Sequence, residues 1–392
     1  MNGLNITIQR DDLIAALRPA ASVAGKGSAV PILAHVRLEA ADGRLAISAT
    51  DGDLSIAEAV PLTEGSAVGW GVTTVDAARL SAVVSSLPSG EPDVRLTEAA
   101  GQRLRVRAGR SDFSLSATDG ADFPPGLDVG DDVRAFSVMS ADLGRAIGET
   151  LFSVCDDVNR LGLSGLYLEP VEGGTALRFV STDGSRLSWS DCPISGAMGV
   201  GVDDGLISIG GRVLKRGRLV SRAFVAQLRR LISDGQDWRV TIGDRAISAR
   251  SGGMALTGRL IDGDFPDYRM VLPTQPCAAE ATVESAALVG ALKRAALMAT
   301  DRNSSIRCTF GEGEAVIEAQ DVKAGNVREV LPCSLMGAPI STGFNATYLL
   351  DVLGAVKGRE VTIAFRKPLD PVEVRASGRA DCMFIVMPMR LD

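Results

Sequence analysis

The chain has 392 residues, 46% apolar and 23% charged with 43 glycines, an ordinary globular composition long enough for two or three domains. It contains no run of about 18 apolar residues and no basic segment leading into an apolar one at the N-terminus, so neither a membrane span nor a signal peptide is expected, and the expected location is cytoplasmic. The net charge of −7 argues against nucleic acid, yet Arg212, Lys215, Arg216, Arg218, Arg222, Arg229 and Arg230 follow one another with no acidic residue between them, so opposite signs can lie on different faces.

In chain order, a strand at 4–9 precedes a helix over 11–22. There Leu13, Ile14 and Leu17 share a face, and Asp11 and Asp12 suit the positive helix N-terminus. Strands follow at 32–39, 45–50 and 54–60. Thr73 to Asp76 reads as the cap of a helix ending near Ser86, closed by Leu87-Pro88-Ser89-Gly90. Strands at 94–97, 103–108 and 113–117 complete the first third. The second third has a helix over 143–152 capped by Ser140-Ala141-Asp142, then strands at 166–169, 177–181 and 185–190. A glycine-rich segment at 196–211, a helix over 222–233 and strands at 238–242, 246–250 and 254–260 follow. The last third has helices over 285–299 and 346–354 among strands at 306–310, 315–320, 327–333, 360–365, 372–375 and 382–388.

The order repeats about every 130 residues, and one hairpin signal is written twice, as Thr50-Asp51-Gly52 and Thr182-Asp183-Gly184 between alternating runs. A period of that length suits copies of a domain and is too long for a solenoid. The reading is an α+β chain of three repeated domains, 1–130, 131–273 and 274–392, each of antiparallel sheet with two helices.

No catalytic constellation emerges. The single histidine, His35, removes most metal sites and most Ser-His or Cys-His mechanisms. Cys155, Cys192, Cys277, Cys308, Cys333 and Cys382 are scattered without a Cys-x-x-Cys pair and read as reduced thiols. Gly199 to Gly205 lacks the spacing of a dinucleotide loop, Asp128 to Asp132 reads as a linker, and Asp156-Asp157 as a solvated or charge-pairing pair. No metal, cofactor or active site is expected. A nucleotide-processing enzyme stays as the runner-up from another class.

Several segments carry a resemblance. They are Val30 to Ala34, Gly109 to Leu115, Ala121-Asp122-Phe123-Pro124, Ser181 to Leu187, Leu260 to Tyr268, Gly343 to Leu353 and Val386-Met387-Pro388-Met389-Arg390-Leu391. In this order they resemble the bacterial sliding clamp family, the β subunit of DNA polymerase III, over essentially the whole chain. The resemblance implies a DNA clamp fold closing head to tail into a homodimeric ring. That ring would encircle duplex DNA without sequence specificity and tether DNA polymerase III, the clamp loader and other proteins bearing clamp-binding linear motifs. A diverged clamp paralogue with a specialised polymerase, repair or resistance role is the alternative within the family.

The resemblance also implies two sites. A modest basic lining would come from Arg222, Arg229 and Arg230 on one helix, Lys293 and Arg294 on another, and Arg79, Arg145 and Lys26, with Arg160 at an arginine position of the family's central DNA loop. Few phosphate contacts suit sliding, because each one steepens the salt dependence of binding by about 0.9 in log-log slope. A peptide pocket would be formed by Leu163, Thr182, Gly184, Ser185, Arg186, Leu187, Pro266, Met270, Val271, Ile385, Met387, Pro388, Met389 and Arg390. An aliphatic, methionine-bearing cleft adapts to several partners. The chain departs from the family pattern at Gly27, where a loop arginine is usual, at Ser221-Arg222-Ala223 with one basic residue, in a longer 196–218 loop, at Met270, and in the added Asp392.

Overall fold

The computed structural model describes residues 3–25, 27–64, 66, 71–130, 134–157, 159–171, 173–196, 201–203, 206–209, 212–214, 217–299, 304–321, 325–376 and 378–391. Among them are six α-helices: α1 (Arg10–Val23), α2 (Ala77–Ser86), α3 (Ser140–Thr150), α4 (Arg222–Leu231), α5 (Ser285–Ala296) and α6 (Ala346–Ala355). Each begins on the residue that follows a strand. Those strands are Asn5–Gln9, Gly71–Asp76, Arg134–Met139, Arg218–Ser221, Ala279–Glu284 and Ile340–Asn345. Where the joint is capped by a side chain, the last strand residue supplies the acceptor: Asp76 for Arg79 N–H, Ser221 for Phe224 N–H, and Asn345 for Thr347 and Tyr348 N–H.

Three further strands follow every helix, so the unit of construction is strand-helix-strand-strand-strand, and it occurs six times. The period visible in the sequence is therefore two units long. The units interlock in pairs, the first strand of each pairing antiparallel with the second strand of its mate. Asn5–Gln9 lies on Asp93–Ala99 and Gly71–Asp76 on His35–Ala41, and both later pairs repeat the pattern. Inward-facing residues of each sheet alternate, as in the buried Val36, Leu38 and Ala40 between half-buried Arg37 and Glu39. They pack against one face of the helices in an aliphatic core that includes Leu13, Leu17, Leu80, Leu143 and Leu228.

Adjacent pairs are joined edge to edge by fourth strands. Leu54–Pro61 of the first unit lies antiparallel to Met254–Ile261 of the fourth, and Arg186–Pro193 of the third to Cys382–Val386 of the sixth. Among the described residues, the fourth strands of the second and fifth units, Ser111–Asp119 and Gly325–Gly337, pair only within their own unit pairs. Both therefore present an open edge, at opposite ends of the chain.

The structure revises the sequence reading in three places. Residues 31–34 form a 3-10 turn with Pro31 at its start, and the strand begins at His35. The strands that lead into α2 to α6 have no counterpart in the sequence reading, because no loop separates strand from helix to mark the change of period and the cap is itself the last strand residue. The glycine-rich segment holds a small antiparallel sheet of Gly201–Asp203, Leu206–Ile209 and Arg212–Leu214, inserted before the fourth unit.

Candidate functional site

The Thr182-Asp183-Gly184 turn is built by its own side chains. Thr182 Oγ1 donates to the Arg186 carbonyl at 2.7 Å and accepts from Gly184 N–H at 3.1 Å. Asp183 Oδ1 accepts from the backbone N–H of Ser185 and Arg186 at 2.8 and 3.0 Å. Gly184 has φ +94°, a value that disfavours any side chain. The first copy repeats every one of these bonds through Thr50, Asp51, Gly52 and Leu54. What differs is the residue after the turn. Arg186, 10% exposed, donates to Asp183 at 2.9 Å and to the Phe152 carbonyl at 2.9 Å and pairs with Asp351. Its guanidinium also lies 4.6 Å from the Tyr348 ring centroid and 5.3 Å from that of Phe152. Arg186 thus pins the turn to α6, while the equivalent Leu54 is buried in the core.

The second wall is the chain's end. Leu187 pairs with Ile385 and Arg186 with Val386, after which Met387 N–H donates to the Ser185 carbonyl at 2.8 Å and Met389 N–H to the Gly343 carbonyl at 2.8 Å. Met387, Pro388 and Met389 are half-buried and Arg390 is exposed. Beneath lies a small apolar cluster on the sheet face opposite the helices, formed by Tyr167, Val180, Leu187, Trp189, Leu219, Tyr268 and Ile385 with Phe265, Leu272 and Met383 around it. A 3-10 turn, Tyr268–Val271, borders this cluster, with Pro266 exposed, Met270 84% exposed and Val271 45% exposed. Half-buried Leu163 sits on the turn Leu161–Leu163, where Gly162 approaches the Asp264 carbonyl so closely that a Cβ would lie 2.4 Å from it.

The residues named from the resemblance therefore fall on one side of the central–C-terminal junction, but not all on its surface. Leu187 and Ile385 are 3% and 1% exposed and form the floor, and Arg186 acts as a brace behind the turn. Phe152, Tyr348 and Asp351, which hold that brace, were missed. Tyr348 and Asp351 stand inside a segment quoted for the resemblance, yet nothing in their spacing announces a partner 165 residues away.

The basic candidates divide sharply. Arg79, Arg229, Arg230 and Lys293 are exposed and make no ion pair among the described residues. Arg229, Arg230 and Lys293 lie in last helical turns, where cations suit the negative end of the dipole. Arg222 pairs with Asp156, Arg160 donates to the Asp183 carbonyl at 2.8 Å, and Arg294 grips Glu329 at 2.6 and 2.8 Å. Lys26 lies outside the described residues.

Arg145 departs most from a lining role. It reaches Glu149 at 3.2 Å and Asp142 and Asp381 at 3.3 Å, and donates to the Asp191 carbonyl at 3.0 Å. Glu149, 3% exposed on α3, also accepts from Ser190 Oγ at 2.7 Å and pairs with Arg379, which in turn holds Asp381 at 2.8 Å. Arg379 hydrogen bonds draw the Asp381 carboxyl below its ordinary range, and Asp381 and Glu149 together raise the Arg379 guanidinium. A carboxyl held low in the folded state stabilises at neutral pH, and that contribution is lost progressively as the pH falls from the ordinary carboxylate range through its lowered value. The network welds α3 to the last hairpin. Glu149→Ala leaves two half-buried guanidiniums without their shared carboxylate and is expected to cost about 3 kcal/mol. An unchanged urea midpoint would remove this role.

The comparisons with known proteins agree over the full chain. The family model for the DNA polymerase III beta subunit N-terminal domain matches residues 4–128, and that for its C-terminal domain matches residues 269–390. The Beta sliding clamp of Escherichia coli strain K12 is 32% identical over 392 residues, covering 99% of this chain and 100% of that protein. The Beta sliding clamp of Caulobacter vibrioides is 32% identical over 395 residues with the same coverage. Among solved structures, the Pseudomonas aeruginosa sliding clamp bound to griselimycin superposes with a TM-score of 0.89 at 29% identity, and Caulobacter crescentus pol III beta with 0.85 at 32%, each covering 99% of this chain and 100% of the other. Three interlocked unit pairs joined by their sheet edges define a clamp-type architecture. The chain belongs to the beta sliding clamp family, the DNA polymerase III beta subunits.

Proposed function

We propose that this chain is a DNA sliding clamp, a processivity subunit of a DNA-directed DNA polymerase with no active site of its own. The observation that carries the reading is the pattern of edge pairing. Fourth strands join unit one to unit four and unit three to unit six, always an odd unit to the even unit of the next pair. Unit five then seeks unit two, and only a second copy can offer it. Two copies placed head to tail satisfy both open edges at once and close without remainder. Twelve helices, two sets of six, then face the hole.

Duplex DNA passes through that hole and is held by topology, with Arg79, Arg229, Arg230 and Lys293 as the cations free to meet phosphate. The committed arginines contribute little, which suits a surface that must not grip. The pocket of Thr182, Gly184, Ser185, Met387, Pro388 and Met389, flanked by Leu163, Pro266, Met270 and Val271, takes linear motifs of the polymerase, the clamp loader and other partners. The domain limits of this reading are 1–130, 131–273 and 274–392, supported by the grouping of the units in pairs, and the place of action is the cytoplasm, where the chromosome lies. Loaded onto nicked circular DNA, the dimer is expected to stay bound until the circle is cut. A stable monomer at micromolar concentration, or equal retention on linear DNA, would overturn the reading.

A further inference from the structure

The two junctions inside the chain share a ladder but not what covers it. At the central–C-terminal junction one cross-strand row runs Tyr167, Val180, Trp189, Met383, and the next runs Thr182, Leu187, Ile385. These side chains, with Phe265 and Tyr268 of the covering segment, fill the outer face. At the first junction the corresponding rows run Arg37, Ser48, Ala57, Ala255 and Thr50, Ser55, Thr257. Here the covering segment Phe123-Pro124-Pro125-Gly126-Leu127 carries a glycine where the other carries Tyr268. Ser48, Ala57, Ala255, Ser55 and Thr257 stand where the other junction has Val180, Trp189, Met383, Leu187 and Ile385, and a groove of about 650 Å³ remains.

The lining of that groove includes Arg37 and Arg250 and no carboxylate. Arg37 is partly satisfied by Glu39 at 2.7 Å. Arg250 is exposed, makes no ion pair among the described residues, and stands directly opposite Arg239, which is equally exposed and equally unpaired. Like charges facing one another across an antiparallel ladder destabilise the sheet. A groove with apolar proline and leucine on one side, the Arg250 guanidinium at one end and that of Arg239 on the strand just beyond, neither in an ion pair among the described residues, is complementary to carboxylates followed by small apolar side chains. The row from Arg37 to Arg250 crosses four strand spacings, about 19 Å, which an extended chain of about six residues spans.

We propose that this groove is a second docking site, which takes an extended acidic peptide segment of a partner protein. It is separate from the pocket at Met387, and the two can be occupied together. A polyphosphate is disfavoured, because among the described residues of the lining Arg250 is the one cation without an ion pair, the lining apart from it and Arg37 is apolar or hydroxylic, and the chain as a whole carries −7.

The test uses the full-length Met387→Asp protein, so that the other pocket does not compete. A random dodecapeptide display library is selected against it. Enriched sequences are expected to carry paired Asp or Glu beside small apolar residues, and their synthetic, fluorescein-labelled forms are expected to bind at least tenfold more weakly to the further variants Arg250→Glu and Arg239→Glu. Both substituted residues are exposed, and an unchanged thermal melt verifies folding. Affinity is expected to fall with salt. No acidic enrichment, or binding indifferent to both charge reversals, overturns the proposal. Binding of labelled (dT)12 that Arg250→Glu abolishes, with no peptide selected, overturns it in favour of nucleic acid.

Discussion

Replacing Met387 with aspartate is expected to abolish capture of linear peptides while the protein remains a dimer. Met387 is half-buried, and its backbone N–H is already used by the Ser185 carbonyl at 2.8 Å, so the substitution leaves the wall in place. What changes is the surface an apolar anchor meets. Losing a buried methionine contact removes about 1.5–3 kcal/mol, and a carboxylate desolvated by the incoming side chain adds a further penalty. The sum is at least a hundredfold in affinity, taking about 1.4 kcal/mol per tenfold. Fluorescence anisotropy with a labelled clamp-binding linear peptide of the host polymerase reads it directly. A dissociation constant within threefold of the parent protein would refute the assignment of this wall.

Phe113→Asp is expected to leave folded monomers that no longer stay on circular DNA. Phe113 lies on the open edge strand Ser111–Asp119, opposite the buried Val106, yet is itself 37% exposed. An aromatic ring half out of a core at a strand edge lacks one neighbour, and in the closed dimer that neighbour belongs to the second copy. Each closed interface loses about 2–3 kcal/mol of apolar burial when the aromatic side chain is removed. A head-to-tail ring has two such interfaces, so the dissociation constant of the dimer rises by about a thousandfold or more. Sedimentation at micromolar concentration should show a shift from dimer to monomer. A dimer that survives intact would place the interface elsewhere.

Much of the fold was legible because its signals are local. Helix positions followed from apolar spacing and acidic first turns, as at Leu13, Ile14 and Leu17 behind Asp11 and Asp12. The strands that run straight into helices leave no such local mark, since at a joint such as Asn345-Ala346 the helix cap is itself the last strand residue and no loop lies between. The duplicated Thr-Asp-Gly turn was visible, but its two fates were not. They depend on the residues across the ladder, Ile385 beside Leu187 and Thr257 beside Ser55, and that pairing joins positions about 200 apart. The site was legible only through resemblance to a family. Even then, which arginines are free and which are spent could not be read from a sequence. Arg145 and Arg229 look alike there, and three carboxylates separate them in space.

The seamless strand-to-helix joints have a mechanical consequence for the assembled ring. A helix that starts on the residue after a strand has no tether in which to swing, so its direction is inherited from the sheet. With six such joints per chain, the bore is a wall of stiff rods, each held in line by the strand behind it. The rods number twelve around the circumference, while B-form DNA repeats every 10 to 10.5 base pairs. Two periodic surfaces whose repeats do not match cannot lock into register, because a phosphate that moves towards one rod draws another away from the next. Friction against rotation and translation stays low for any base sequence, and the ring behaves as a bearing.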